Sequence, residues 1–199
     1  PLAHPAPIEK TGVGRSAPGL DKCALPAYVS TMTTPSLSIG FSLGSNLGDR
    51  VAYLRQARQA ILAAGPAVET GKSSLWETEP VGVKPEYQHL KFLNAVLIIE
   101  TPLSAHDWLT RIAQIEKDFG RERPAGDKNA PRKLDVDIIF AGEELIGSGG
   151  LVVPHPRWAE RRFVVQPLAE LQPHRVLPGM QETVAEVLAR LPGAEELIR

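Results

Sequence analysis

The order of strand-like and helix-like segments is the feature that most constrains the fold of this chain. Residues 37–43 alternate apolar residues with small or polar ones, which is typical of a half-buried strand. A helix over about 49–64 follows, and a second helix begins after residue 104. Three further strands are predicted, at 67–77, 92–99 and 133–140. This β-α-β-β-α-β order predicts an α+β, ferredoxin-like sandwich.

Both predicted helices have one apolar face. The apolar face of the first helix contains Val51, Leu54, either Ala57 or Arg58, and Ile61. In the second helix, Ser104 and Asp107 have the spacing of a capping box. Its apolar face consists of Trp108, Ile112, Ile115 and Phe119. Each helix can therefore cover one face of the sheet.

The two ends of the chain differ in composition from the middle. Residues 1–36 are rich in Pro and Gly and have no regular period, so we interpret them as a flexible tail. Residues 37–199 are expected to form one domain. Within it, residues 151–199 are expected to add loops and short helices, because prolines interrupt them at positions 154, 156, 167, 173 and 178.

Composition excludes several classes of protein. A net charge of −1 does not support nucleic-acid binding, and no apolar run reaches the 18 residues typical of a membrane span. Cys23 is the only cysteine, so neither a disulfide framework nor a cysteine zinc site is expected. We expect a cytoplasmic protein that binds small molecules and no membrane.

The most informative segment is Asp135-Val-Asp137 in the last predicted strand. Alternate residues of a strand share a face, so Leu134, Val136 and Ile138 are expected in the core. The two aspartates then share the opposite face, with Cα atoms about 6.5–7 Å apart. Carboxylates at this spacing can hold a pair of Mg²⁺ ions, although a solvated face of a strand has the same pattern.

Three arginines close to this segment favour the metal interpretation. Arg121, Arg123 and Arg132 precede the aspartates, and guanidinium groups suit bidentate contacts to phosphate. Acidic metal ligands beside such arginines are typical of a site for a nucleoside triphosphate. Together they predict a Mg²⁺-dependent enzyme that uses a nucleoside triphosphate.

Two further groups of side chains are candidates for ligand binding. Phe92 and Asn94 share one face of a strand and could stack on and hydrogen-bond a flat heterocycle, or form an ordinary strand. His155 lies close in sequence to a second aromatic residue, Phe163, but a lone histidine is more often structural. Glu116 lies near the apolar face of its helix, either at the margin of that face or reaching into a site.

Together these segments resemble 6-hydroxymethyl-7,8-dihydropterin pyrophosphokinase, a family of folate biosynthesis. The resemblance covers about residues 37–180, and its most specific part is the Pro-Arg-x-Leu-Asp-x-Asp pattern. The matching segments are Leu43-Gly-Ser-Asn46, Ser73-Ser-Leu-Trp-Glu-Thr78-Glu-Pro80-Val-Gly82, Phe92-Leu-Asn94, Arg121-Glu-Arg123, Pro131-Arg-Lys-Leu-Asp135-Val-Asp137, Pro154-His155 and Arg161-Arg-Phe163.

The resemblance implies a reaction and a set of site residues. Members transfer the terminal pyrophosphate of ATP to the hydroxymethyl oxygen of the pterin and release AMP. Asp135 and Asp137 would bind two Mg²⁺ ions, and Arg121 and Arg132 would act on the phosphates. The pterin would contact Thr78, Pro80, Gly82, Phe92, Asn94 and Phe163. ATP would contact Glu116, Arg123, Arg132, His155 and Arg161.

Two other functions remain open from the residues alone. An RNA-recognition motif has the same element order, but its aromatic strand signature is absent from residues 92–96 and the net charge does not fit. A metal-dependent phosphotransferase acting on another alcohol is the second alternative. We expect the enzyme to act as a monomer.

Overall fold

The structure is a computed structural model that describes residues 36–121 and 130–193, together with the backbone of 196–198. Its main feature is a six-stranded antiparallel sheet in the order β5-β1-β4-β3-β8, with β2 also paired to β4. The strands of this sheet are β1 (Leu37–Ser45), β2 (Val68–Lys72), β3 (Leu75–Thr78), β4 (Phe92–Thr101), β5 (Asp135–Ala141) and β8 (Glu196–Ile198). The predicted tail, apart from Ser36, lies outside the described residues.

The centre of the sheet has the predicted connectivity. Strand β1 lies between β4 and β5, so that Phe41 is opposite Leu97 on one side and Ile138 on the other. The four strands that were predicted from the sequence thus form the sheet of a ferredoxin-like sandwich. The predicted α+β fold is confirmed.

The predicted second strand is interrupted, which the sequence analysis missed. Instead of one strand over 67–77, β2 and β3 are separated at Ser73 and Ser74. The Ser73 hydroxyl accepts a hydrogen bond from the Val96 N–H, and the Ser73 N–H donates to the Val96 carbonyl. A side-chain oxygen therefore replaces a main-chain acceptor, and the strand can be interrupted here without leaving the Val96 N–H unpaired.

Helices α1 (Arg50–Ala63) and α2 (Ala105–Asp118) cover one face of the sheet. The predicted capping box of α2 is present, because Ser104 accepts from the Asp107 N–H and the Asp107 carboxylate accepts from the Ser104 N–H. The buried residues of α1 are Leu54, Ala57 and Ile61, so Ala57 and not Arg58 faces the core. Val51 was predicted on the same face, but it is 37% exposed.

The C-terminal segment covers part of the opposite face. It contains a hairpin of β6 (Ile146–Ser148) and β7 (Leu151–Val153), then α3 (Arg162–Leu171) and α4 (Val184–Arg190). Pro167 does not interrupt this segment as predicted, since it lies buried inside α3. Burial of Val164, Val165 and Leu168 against the sheet can offset the cost of an internal proline, about 3 kcal/mol.

This second layer reaches only part of the sheet. It packs on Val96 and Ile98 of β4 and on Ile139 and Phe140 of β5. The residues before these on the same strands, Asn94 and Asp137, are left to line an open cavity. Among the described residues, no helix is long and apolar enough to cross a membrane.

Candidate active site

A cavity of about 270 Å³ opens on the sheet face opposite α1 and α2, beside the N-terminal end of α3. This cavity is lined by nine of the site residues that were predicted from the sequence. They are Thr78, Gly82, Phe92, Asn94, Arg132, Asp135, Asp137, Arg161 and Phe163. Residues separated by more than eighty positions in the chain are thus brought to one place by β3, β4, β5 and α3.

The two aspartates occupy the face that strand alternation predicts. Leu134, Val136 and Ile138 are buried in the core beneath α1 and α2. Asp135 and Asp137 point to the cavity, and their side chains are 24% and 42% exposed. Both carboxylates are therefore accessible to a ligand, while their backbone is held by the pairing of the edge strand β5 with β1.

Gly44 provides the space that these residues need. It lies opposite Asp135 in the register of β1 and β5 and opposite Asn94 in the register of β1 and β4. A Cβ atom at this position would stand 3.1 Å from Oδ1 of Asn94 and 3.8 Å from the Phe92 ring. Even a Cβ atom here would therefore press on the Asn94 amide, while it would only touch the Phe92 ring.

Arg121 connects two acidic groups at the end of α2. Its guanidinium pairs with the Glu116 carboxylate and lies 2.9 Å from Oδ1 of Asp135. Glu116 is buried and also accepts a hydrogen bond from the Val136 N–H at 2.9 Å. Burial raises the pKa of the Glu116 carboxyl, although the Val136 N–H and Arg121 both act to lower it. Glu116 thus reaches inward and ties α2 to β5.

Arg132 is held in place through its backbone. Its N–H donates to Oδ1 of the buried Asn46 at 2.8 Å, and its carbonyl accepts from the Asn46 N–H at 3.2 Å. The Arg132 guanidinium then lies 3.5 Å from Oδ2 of Asp135. Asn46, which has no place among the predicted site residues, fixes the turn that leads into β5.

His155 and Arg161 surround Asp137 on the other side. Nη1 of Arg161 is 3.3 Å and Nε2 of His155 is 3.8 Å from Oδ2 of Asp137. The Arg157 N–H donates to Nδ1 of His155 at 3.1 Å, and Nη1 of Arg161 lies 3.4 Å from Nε2 of the same ring. Burial lowers the pKa of the His155 imidazole, Asp137 opposes this, and Arg161 adds to it.

A third part of the cavity is lined by aromatic rings and a side-chain amide. The Nδ2 group of the buried Asn94 donates to Oγ1 of Thr78 at 2.8 Å, which fixes the orientation of the amide. Phe92 lies two residues before Asn94 on β4 and shares its face. Phe163 enters from α3, and the Arg161 guanidinium lies 5.6 Å from the centre of its ring. Flat apolar surfaces and fixed polar atoms therefore occur together.

Some predicted residues lie outside this lining, and some lining residues were not predicted. Pro80, Glu116, Arg121 and His155 are not part of the lining, although the last two lie beside the aspartates. Arg123 lies outside the described residues. The lining residues missed from the sequence are Ser42, Gly44, Glu79, Val81, Arg157 and Glu160. Ser42 and Gly44 could have been found, because they alternate with the core residues Phe41 and Leu43.

The carboxylates of the cavity suit a divalent metal ion that is also coordinated by a substrate. The described residues contain no group of three or more His, Cys, Asp or Glu side chains that could hold a metal alone. Asp135 and Asp137 offer two carboxylates on one face of the cavity. Mg²⁺ is commonly bound by one or two carboxylates together with substrate phosphates and water, so the residues fit this ion.

Comparison with known proteins agrees with this arrangement. A family model described as 7,8-dihydro-6-hydroxymethylpterin-pyrophosphokinase matches residues 40–173, about two thirds of the chain. The matched range contains every residue of the cavity lining. This chain belongs to that pyrophosphokinase family. The predicted ATP-dependent pyrophosphokinase activity in folate biosynthesis is thereby confirmed, and the RNA-recognition alternative is set aside.

Individual relatives of the pyrophosphokinase family support the assignment. A 2-amino-4-hydroxy-6-hydroxymethyldihydropteridine pyrophosphokinase of Bacillus subtilis is 42% identical over 130 residues, which are 65% of this chain and 75% of that protein. A folate synthesis bifunctional protein of Arabidopsis thaliana is 40% identical over 144 residues. The match covers 72% of this chain and 29% of the plant protein.

Solved structures show the same fold. The HPPK-DHPS protein of Plasmodium falciparum with pteroate aligns with a TM-score of 0.59 and 13% sequence identity. The alignment covers 78% of this chain and 42% of that chain. This chain therefore spans less than half of the bifunctional protein to which its fold is similar.

Proposed function

We propose that the cavity described above is the active site of this pyrophosphokinase and that it takes the pterin and ATP in two adjoining parts. The observation that carries the proposal is that one cavity combines two unlike groups of residues. On β5, Asp135 and Asp137 are paired with arginines, and on β4 and β3, beyond β1, lie Phe92, Asn94 and Thr78. A reacting hydroxyl and a reacting phosphate would thus meet at the carboxylates.

The pterin is assigned to the aromatic part. Phe92 and Phe163 offer ring faces for stacking on a flat heterocycle. Asn94 can hydrogen-bond the polar edge of such a ring, because its Nδ2 group already donates to Thr78 and its orientation is therefore set. Thr78 and Gly82 line the same part, and Pro80 lies between them in the chain. This part is shaped for a planar molecule with apolar faces and a polar rim.

ATP is assigned to the charged part. Arg121 and Arg132 flank Asp135, and Arg161 and His155 flank Asp137. Guanidinium groups can bind phosphate oxygens in a bidentate manner and stabilise negative charge that shifts during transfer. We assign Arg121 and Arg132 to the phosphates that react, and Arg161 and His155 to the rest of the triphosphate. A role for Glu116 at ATP stays a prediction, since its carboxylate is engaged by Arg121 and Val136.

Asp135 and Asp137 are assigned as the protein ligands of two Mg²⁺ ions. Bound there, the ions would neutralise phosphate charge and lower the pKa of the attacking hydroxyl. The carboxylates are suited to this role because β5 fixes them on one face and the cavity leaves both accessible. A cytoplasmic, monomeric enzyme remains our expectation.

Replacement of the aspartates by asparagine tests this assignment. Asp135→Asn and Asp137→Asn should each reduce turnover by about 100-fold or more while the melting temperature changes little, because neither side chain is part of the core. Asp118→Asn, on the exposed side of α2, is the matched control and should retain full activity. Turnover near that of the control, at saturating Mg²⁺, would contradict the metal assignment.

A further inference from the structure

A second cavity lies on the opposite face of the sheet from the candidate active site. We call it the α1 groove, because α1 forms one side and β1 to β4 contribute the rest of the lining. Its volume is about 400 Å³, which is larger than the 270 Å³ of the candidate active site. It is lined by Leu43, Val51, Leu54, Arg55, Arg58, Gln59, Lys72, Ser73, Ser74, Leu75, Ala95, Val96 and Leu97.

The α1 groove exists because the helical layer does not reach the edge of the sheet. Helix α1 packs on β1 and β4, while β3 lies beyond it. The interruption at Ser73 and Ser74, where β2 ends and β3 begins, lies in the lining of the groove. The exposure of Val51, which contradicted the sequence prediction, has the same origin, because Val51 lies over the groove and not over core.

The floor and the rim of the groove differ in character. Leu43, Leu54, Ala95 and Leu97 form an apolar floor that is almost fully buried. Clefts of about 300–1,000 Å³ with a mainly apolar lining and a few polar groups are the usual form of small-molecule sites. The volume and the floor of the α1 groove both fall within this description.

The rim carries positive charge. Arg55, Arg58 and Lys72 all line the groove, and no Asp or Glu is among its lining residues. Arg58 is paired with Glu69, which stands outside the lining and offsets part of this charge. Arg55 and Lys72 are exposed, on α1 and β2 respectively. The groove thus combines an apolar floor with cations on two sides.

We propose that the α1 groove binds a small organic anion, with its apolar body on the floor and its carboxylate, sulfonate or phosphate group between Arg55 and Lys72. The positive charges of the rim favour an anionic group, and the buried leucines of the floor favour an apolar body. The proposal does not depend on the assignment of the active site, because the two cavities share no lining residue.

The two cavities nevertheless share strands. Leu43 lines the groove, while its neighbours Ser42 and Gly44 line the candidate active site on the other face. Ala95 and Asn94 are related in the same way on β4. A ligand in the groove therefore binds directly behind β1 and β4, whose other faces line the candidate active site.

A fluorescent probe of the predicted chemistry provides the test. The anion 8-anilino-1-naphthalenesulfonate should bind the folded enzyme at one site, and saturating ATP with pterin should not displace it. The double variant Arg55→Glu/Lys72→Glu should weaken this binding by about fivefold or more, because two attractive charges become repulsive. Lys117→Glu/Arg190→Glu makes the same change in net charge on distant exposed positions and should leave the affinity unchanged.

Two further measurements separate the contributions of rim and floor. N-phenyl-1-naphthylamine, which lacks the sulfonate, should bind the wild-type protein more weakly than the anionic probe. Val51→Trp should reduce probe binding without any change in charge, because the indole would fill the groove from its exposed side. Displacement of the probe by ATP or pterin, or equal affinities for the two double variants, would overturn the proposal.

Discussion

Nη2 of Arg121 lies 2.9 Å from Oδ1 of Asp135, so a residue assigned to phosphate is paired with a residue assigned to metal. Arg132 stands 3.5 Å from the other oxygen of the same carboxylate. In the proposed arrangement, both arginines exchange Asp135 for phosphate oxygens when ATP and Mg²⁺ bind together. The affinity for the metal would thereby be coupled to the presence of the nucleotide.

This coupling gives a prediction for metal binding. Arg121→Ala should raise the affinity for Mg²⁺ alone by about three- to tenfold, on the order of 1 kcal/mol, because Asp135 loses a competing cation. The same change should reduce turnover strongly. Calorimetric titration with MgCl₂ measures the first effect, and Arg190→Ala is a control that removes a distant arginine. Unchanged or weaker Mg²⁺ binding would show that Arg121 does not compete at Asp135.

Phe92→Ala and Phe163→Ala test the aromatic part of the cavity. Each change should weaken pterin binding by about 1–3 kcal/mol, the range for stacking of a base on an aromatic ring, and should leave ATP binding unchanged. Phe119→Ala is a suitable control, because Phe119 is half-buried beside Tyr53 on the opposite face of the sheet. A loss of stability with unchanged affinity for pterin would assign Phe92 and Phe163 to packing alone.

Glu170 is predicted to position residues assigned to the pterin, although Glu170 itself does not line the cavity. Its carboxylate accepts hydrogen bonds from the Ser74 N–H at 3.0 Å, the Ser74 hydroxyl at 2.8 Å and the Trp76 indole at 3.1 Å. It therefore fixes α3, which carries Phe163, against β3, which carries Thr78.

Glu170→Ala should raise the KM for pterin several-fold more than the KM for ATP. The melting temperature should also fall, by about 2–8 °C for a loss of about 1–2 kcal/mol. Glu170→Gln, which keeps an oxygen acceptor, should restore part of the pterin affinity. If both KM values rise equally, Glu170 contributes to general stability and not to the position of Phe163.

Strand alternation made the centre of this site predictable. Because side chains alternate between faces, Asp135 and Asp137 could be assigned to one face and Val136 to the core, as the structure shows. The same reasoning put Phe92 and Asn94 together. The cap of α2 was predictable as well, since a capping box depends on residues only three positions apart.

Features that depend on contacts between distant segments were not predictable in this way. The interruption between β2 and β3 is accompanied by a hydrogen bond from the Val96 N–H to the Ser73 hydroxyl, which no local pattern reveals. Pro167 lies within a helix only because its neighbours are buried against β4 and β5. The structural role of Asn46 likewise depends on Arg132, 86 residues later in the chain.

Product analysis tests the central claim most directly. The enzyme, incubated with ATP, Mg²⁺ and 6-hydroxymethyl-7,8-dihydropterin, should form AMP and the pterin diphosphate in equal amounts, because the terminal pyrophosphate moves as one unit. The products can be separated by ion-exchange chromatography, with a reaction lacking pterin as the control. Formation of ADP with a pterin monophosphate, or AMP formation that does not depend on pterin, would contradict the account.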